Sequence, residues 1–414
     1  MTKTTRKIGL SLGADVCWPI CFEEIVRQLD LSLPIDDEEV SFEVRRVTIE
    51  PFDLAQDVDY DVVLDRLTYW YFISREWIKK AVLMNDLYVL NNPWSIQSNA
   101  KHTSYCAMMK LGMPIPRTAL VPPKEYDETP DLDVTLRRYA KLFRLEEVGR
   151  SIGYPVFMKP FDGGGWVGVS KIETDEELLA AYDASGTRLM HVQKGMVPYD
   201  NFVRCIGIGP QLKIVDYDPS APHHLRYQPE LDLVAAGIIS AEDARIIRDT
   251  TLTINTFFGW DFNSCELIKK DGVWHPFDFA NPCPDSQVTS LHIHFPWIVL
   301  GKIRWALFCA ATRRRMRKTL DWDPYYEVAE RDVPYADKLT AYAGIAHERL
   351  DTEAFEAFCD EHLADLDTVA KEFFGSARAK DAVRMKVQAL FPEHEWDEFT
   401  EHFWTQIQQW REAS

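Results

Sequence analysis

The stretch Tyr154 to Ser170, YPVFMKPFDGGGWVGVS, constrains the fold more than any other part of the chain. An apolar run over Tyr154–Met158 is followed by a lysine, three consecutive glycines and a second β-branched run. That order predicts strand, flexible turn, strand. Backbone N–H groups at Gly163, Gly164 and Gly165 have no Cβ to shield them and are free to take positive φ, so they can wrap anionic oxygens. Lys159 sets a point charge beside them. Phosphate is the natural ligand of such a hairpin. A plain glycine-rich hairpin with a solvated lysine accounts for the stretch equally well, and a second motif is needed to decide.

That motif is GWDFNSCELIKKDGVWHPFDFANPCPD, Gly259 to Asp285. Two strand-like runs flank Lys269-Lys270-Asp271-Gly272, and Asp-Gly between such runs is a strong hairpin signal. The first run carries Glu266, the second Asp278, and Asn281 follows. Hard oxygen donors on two strands of a hairpin can converge on one point. That suits Mg²⁺, with Mn²⁺ as the alternative, held by few protein ligands together with phosphate oxygens.

The order of these motifs resembles the ATP-grasp enzymes of the carboxylate–amine ligase type, the group of D-alanine–D-alanine ligase, glutathione synthetase and the RimK-like ligases. The resemblance runs from Ile8 to Asp285. It implies an α/β (α+β) ATP-grasp architecture: an N-terminal parallel α/β domain over 1–93, two α+β subdomains clasping ATP over 94–190 and 191–290, and a helical extension over 291–414. By the same resemblance Lys101 and Lys159 touch the ATP phosphates, and Gly163–Gly165 close over them. Gln193 and Lys194 lie in the hinge that holds adenine, Asp200 meets the ribose, and Glu266, Asp278 and Asn281 are the metal ligands. Lys213 and Arg226 are the cations that reach the γ-phosphate or the substrate carboxylate. Two features depart from the family: the second acid is Asp rather than Glu, and it stands three residues before Asn281 where two is usual. The register of the second strand is therefore left open.

The activity implied is ATP-dependent ligation, in which a carboxylate is activated as an acyl phosphate, ADP leaves, and an amine attacks. ATP and a carboxylate repel each other, so a lysine or a bidentate arginine has to neutralise them as the acyl phosphate forms. No protein nucleophile is required, and the sequence offers no convincing Ser–His or Cys–His constellation. A small-molecule kinase would use the same ATP and metal residues, and a non-catalytic nucleotide-binding protein is a third reading. The partners implied are a small carboxylate and an amine, and a homodimer is within the expectation because dimers are common in the family.

Composition narrows the remaining classes. A chain of 414 residues has room for two or three domains. Its 46 Lys and Arg against 65 Asp and Glu give a formal charge of −19, which argues against non-specific nucleic-acid binding or attachment to an anionic membrane. No apolar run approaches the ~18–20 residues of a membrane span. Eight cysteines are scattered, with only Cys17 and Cys21 close together, a pattern that predicts reduced thiols and a cytoplasmic location. His223-His224 lacks a cysteine or acidic partner at ligand spacing, so zinc is not expected there.

Strands over Ile8–Leu12, Phe42–Glu50, Val62–Leu64 and Leu87–Leu90, with a helix over Cys21–Leu29, predict a small parallel sheet. Its ligand crevice lies beyond the carboxyl ends of the strands, where Asp65 and Arg66 stand either as substrate contacts or as a surface ion pair. Helices are predicted over Trp94–Leu111, carrying Lys101, and over Asp175–Ala184 and Ala235–Phe258, with a strand over Leu189–Gln193. Further helices are predicted over Trp297–Leu320 and Asp332–Ser414. The basic run Arg313–Arg317 reads as a solvated helix face, and His292 and His294 as a structural pair.

Overall fold

A computed structural model describes residues 2–98, 100–162 and 167–413. They group into two compact units, one of Met1–Ser98, Val203–Cys265 and Asn281–Ser414, the other of Asn99–Phe202 and Glu266–Ala280.

The first unit begins with the expected sheet. Its strands are β1 (Thr2–Ser11), β2 (Ser32–Ile35), β3 (Glu38–Arg46), β4 (Val62–Asp65) and β5 (Tyr88–Leu90), in the order β2-β3-β1-β4-β5. The pairs β1–β3, β1–β4 and β4–β5 are parallel. The edge strand β2 was not expected; it pairs antiparallel with β3 across a turn in which Asp36 has positive φ. Alternation along β1 and β4 gives the sheet two buried faces. Val63 and Val89 pack with Ile78, Ala81 and Val82 of the helix Phe72–Asn85. Ile8, Leu10, Val62 and Leu64 belong to the other face and are also buried, and the helix Phe295–Ala311 packs on β1 and β4. That helix is buried all round except at Trp297 and Arg304, which are partly exposed, as suits a core helix. With the turns before it, it makes a 24-residue run, Val288–Ala311, that is long and apolar enough to cross a membrane, contrary to the expectation from sequence; its most apolar window is 89% buried inside the protein.

Asp65 and Arg66 do not form the surface pair considered above. Asp65 is buried and accepts from Ser11 Oγ and from the backbone N–H groups of Leu67 and Thr68, which pins the turn after β4. Arg66 reaches Asp15 instead, at 3.3 Å.

Strands β6 (Thr118–Val121), β7 (Val156–Pro160), β8 (Ser170–Ile172) and β9 (Met190–Lys194) form the sheet of the second unit, in the order β6-β9-β7-β8, with every neighbouring pair antiparallel. One face is greasy: Val121, Val156, Met158, Ile172, Met190 and Val192 pack with Leu145, Ile152 and Leu178, from the helices Leu145–Ile152 and Asp175–Asp183. The opposite face carries the polar side chains discussed below. The expected helix over Trp94–Leu111 is in two pieces, Pro93–Ser98 and Lys101–Lys110, so Lys101 opens a helix rather than sitting inside one.

The chain then runs through β10 (Asn201–Ile208), β11 (Gln211–Asp216), the helix Ala241–Phe258, β12 (Phe262–Lys270) and β13 (Val273–Asp278). The helix starts later than predicted because Ser240 and Asp243 close a reciprocal capping box at its first turn. Asp271 and Gly272 both take positive φ in the β12–β13 turn, the conformation that Asp-Gly favours.

Gly209, in the β10–β11 turn, has φ +55°, and a Cβ there would lie 2.4 Å from Cδ2 of the fully buried Trp305. Gly209→Ala therefore combines a strained backbone with a clash against a ring that cannot retreat. We expect it to lower stability by about 2–4 kcal/mol, read from a shift in the urea midpoint at unchanged slope.

Past Asp285 the chain is helical, as expected: after Phe295–Ala311 come Asp323–Ala329, Tyr335–Leu350, Thr352–His362, Leu366–Phe374, Ala377–Gln388 and Trp396–Ala413. These helices complete the first unit. The basic run Arg313–Arg317 is not a helix face. It follows the helix Phe295–Ala311, and Arg314 is tied to Tyr88 Oη and to the carbonyl of Arg349, while Arg313 pairs with Glu38. His292 and His294 lie in a short helical turn; both are buried, and burial lowers their pKa values to about 4 and about 3.

Candidate functional site

The polar face of the second unit follows from strand register. Residues paired across a ladder point to the same side, and β7 and β9 pair Phe157 with Gln193 and Lys159 with His191. Those four side chains share one face, opposite the apolar core. On β6, Thr118 pairs with Gln193 and accepts a hydrogen bond from its Nε2 at 2.8 Å.

The β12–β13 hairpin brings the acids into this unit. From Lys270↔Val273 to Leu267↔Pro276 the register is uniform, and continued one step it would set Glu266 against Phe277. A bulge intervenes, and Glu266 pairs with Asp278. Without it Asp278 would sit opposite Cys265, its carboxylate on the other side of the hairpin from Glu266. The one-residue departure in spacing is thus absorbed by Phe277, and the two carboxylates share a face. Pro276, which has no N–H to give to a ladder, stands beside the irregularity.

The bulge is held from outside. Tyr105, four residues after Lys101 and therefore on the same side of its helix, donates its hydroxyl to the Phe277 carbonyl at 2.7 Å. Lys159 Nζ donates to the same oxygen at 3.2 Å and lies 5.3 Å from the Tyr105 ring centre. Lys101 Nζ meets Asp278 Oδ2 at 2.8 Å. Two buried lysines and two carboxylates therefore meet within one unit. Burial lowers the Lys159 pKa, while Asp278 and Glu266 pull it back up. His191 is fully buried, and neither ring nitrogen has a hydrogen-bond partner among the described residues; burial and the neighbouring Lys159 bring its pKa down to about 3, so the ring is neutral at physiological pH.

Of the residues singled out in the sequence, Lys101, Lys159, Gln193, Glu266 and Asp278 belong to this constellation. Lys194 points to the other side of its strand, where its Nζ donates to the carbonyls of Gly153 and Tyr154. Asp200 is exposed at the start of β10, its N–H bonded to the Lys269 carbonyl. Gly163, Gly164 and Gly165 lie outside the described residues. Asn281, Lys213 and Arg226 belong to the first unit. There Asn281 donates its N–H to Asn263 Oδ1 and its Nδ2 to the Ser264 carbonyl. Lys213 donates to the Leu231 carbonyl, and Arg226 Nε to the Ala221 carbonyl. Sequence reasoning missed Tyr105, His191 and Phe277. For His191 a signal existed: it stands two residues before Gln193 on a strand, which sets both on one face.

The donor set fits a hard cation. Glu266 and Asp278 offer carboxylate oxygens, whereas no group of three or more His, Cys, Asp or Glu suited to a metal occurs among the described residues. Few protein ligands is what Mg²⁺ needs where phosphate oxygens and water complete its shell.

Comparison with known proteins falls on the same class. No protein-family model matches the chain. It is 28% identical over 145 residues to a D-alanine–D-alanine ligase of Burkholderia vietnamiensis, covering 33% of this chain and 46% of that enzyme. It is 28% identical over 141 residues to that of Bacillus pumilus, covering 31% and 36%, and 26% identical over 174 residues to that of Burkholderia pseudomallei, covering 40% and 55%. The chain spans about half the length of the curated relatives it matches. Two solved structures align with it at 14% identity. One is D-alanine–D-alanine ligase from Bacillus anthracis complexed with ATP, with a TM-score of 0.47, covering 74% of this chain and 98% of that one. The other is a RimK domain ATP-grasp protein from Sphaerobacter thermophilus, with a TM-score of 0.44, covering 72% and 97%. The resemblance drawn from the motifs is met by the sequence similarity to D-alanine–D-alanine ligases.

Proposed function

We propose that the chain is an ATP-dependent carboxylate–amine ligase that works through an acyl phosphate and releases ADP and phosphate. The observation that carries this reading is the meeting of Lys101, Lys159, Glu266 and Asp278 on the polar face of the second unit. Similarity to ligases favours ligation over phosphorylation of a hydroxyl. Glu266 and Asp278 are the residues that would hold Mg²⁺ or Mn²⁺, which when bound would supply positive charge to neutralise phosphate oxygens.

The chain's own residues do the rest. Lys159, set in a dry environment, neutralises a phosphate oxygen more strongly than a solvated lysine would. Lys101 exchanges its carboxylate partner for phosphate. Gln193, its orientation fixed by Thr118, presents its amide oxygen toward adenine, and the Lys194 backbone forms the hinge beside it. Gly163–Gly165 close over the phosphates and keep water from the acyl phosphate. The partners are a small carboxylate and an amine.

The test is ADP release from Mg-ATP by the full chain, offered amino acids and small carboxylates singly and in pairs, D-alanine among them because the relatives' names state it. ADP that forms only when both a carboxylate and an amine are present supports the reading. ADP formation without an amine, together with a phosphorylated product, identifies a kinase instead. Nucleotide-raised melting temperature with no ATP consumed by any pair identifies a binding protein.

A further inference from the structure

The basic run Arg313–Arg317 and the helices around it enclose a cavity that the nucleotide chemistry does not use. It lies within the first unit, beside the edge strand β5, and has a volume of about 460 Å³. That is the size of a small-molecule pocket. Gly259, Thr312 and Asp351, the residues that close the helices Ala241–Phe258, Phe295–Ala311 and Tyr335–Leu350, all line it. Three helix C-termini therefore meet at one cavity, and their carbonyls favour positive charge there.

Most of the charged groups in its wall are already matched. Arg314 donates to Tyr88 Oη at 3.1 Å, to the Arg349 carbonyl at 2.6 Å and to Asp351. Asp261 accepts from Trp305 Nε1 at 2.9 Å and from Tyr88 Oη. Arg349 is buried and donates to the carbonyls of Leu320 and Asp321.

Arg317 and Glu348 are different. Both are exposed, and neither side chain makes a hydrogen bond or ion pair among the described residues. Either alone would be an ordinary surface charge. Together they line one cavity with opposite signs and face the same guanidinium. Burial holds Arg349 below its ordinary pKa, Tyr325 raises it, the Arg317 charge lowers it, and Asp321 and Glu348 raise it. The two side chains thus flank Arg349 without pairing with each other. The backbone at Arg317 is fixed, because its carbonyl accepts from Asn92 Nδ2 at 2.9 Å.

We propose that this cavity is a binding site for a small amino-acid-like zwitterion, whose carboxylate meets Arg317 and whose ammonium meets Glu348 and the carbonyls at the helix ends. A guanidinium takes a carboxylate through two parallel N–H···O bonds, and an ammonium is stabilised beside a helix C-terminus. A plain anion would gain from Arg317 but oppose Glu348 and three helix C-termini; a plain cation would oppose Arg317. Only a ligand with both charges satisfies both walls. The site belongs to the first unit, whereas the Lys159 face belongs to the second.

The full chain, without nucleotide or Mg²⁺, is screened by thermal shift against the standard L-amino acids and D-alanine. Calorimetric titration then compares each hit with propionate and propylamine, which carry one of the two charges each. At least one amino acid is expected to bind, about tenfold or more tighter than either half. R317M and E348Q are each expected to weaken that binding about tenfold or more at an unchanged melting temperature, and K159M to leave it unaltered. ATP affinity is expected to be the same in R317M as in the wild type. No amino acid bound by the wild type, propionate bound as tightly as the amino acid, or affinity unchanged in R317M or in E348Q would overturn the proposal. Because nucleotide is absent from the screen, each result is independent of whether the chain consumes ATP.

Discussion

Asp278→Asn is expected to lower ADP formation by about 10²–10³-fold, the loss typical of removing one electrostatic stabiliser of a developing charge. The bulge at Phe277 exists, in physical terms, to put this carboxylate on the same side of the hairpin as Glu266, and a neutral amide there supplies neither the ligand charge nor the counter-charge to Lys101. Asparagine keeps the shape, so the register and the Tyr105 bond to the Phe277 carbonyl should survive. The expected signature is therefore a raised Mg²⁺ requirement in a folded protein whose melting temperature falls, because Lys101 loses its counter-charge. Glu266→Gln should behave alike, and the double variant should lose less than the product of the two single losses, since one lost ligand already breaks the shared site. Unchanged turnover in Asp278→Asn would show that this carboxylate is structural.

Lys159→Met is the second large effect: about 10²–10³-fold in kcat/KM for ATP, with stability held or increased. Burial lowers the lysine's pKa, which means that the folded chain bears a cost for keeping an ammonium there. Methionine removes that cost and fills a similar volume. The Phe277 carbonyl keeps its bond from Tyr105, so the bulge has a remaining anchor. Opposite signs for activity and stability would mark Lys159 as a residue retained for function. A variant that simply unfolds would mark it as a structural tie of the bulge.

The sequence was legible where physics is local. The parallel sheet, the Asp-Gly hairpin, the strand that ends in Lys159 and the helical C-terminal region all carry short-range signals of periodicity or turn chemistry. The placement of Glu266 and Asp278 within strands was legible too, but not their mutual face. A bulge is a one-residue slip decided by what holds the displaced residue, and its holders, Tyr105 and Lys159, lie far away in sequence. Lys194 illustrates the cost of reading function from adjacency: the residue next to Gln193 on a strand points the other way.

The central claim, that the Lys159 face of the second unit is a metal-dependent nucleotide site, is tested most directly by calorimetric titration of the full chain with ATP, with and without Mg²⁺, on the wild type and on Lys159→Met. The account predicts one equivalent of ATP bound in the presence of Mg²⁺, weaker binding without it, and affinity reduced at least tenfold in the folded Lys159→Met variant. Wild-type protein that takes up no ATP, or binding that is indifferent both to Mg²⁺ and to the loss of Lys159, would contradict it.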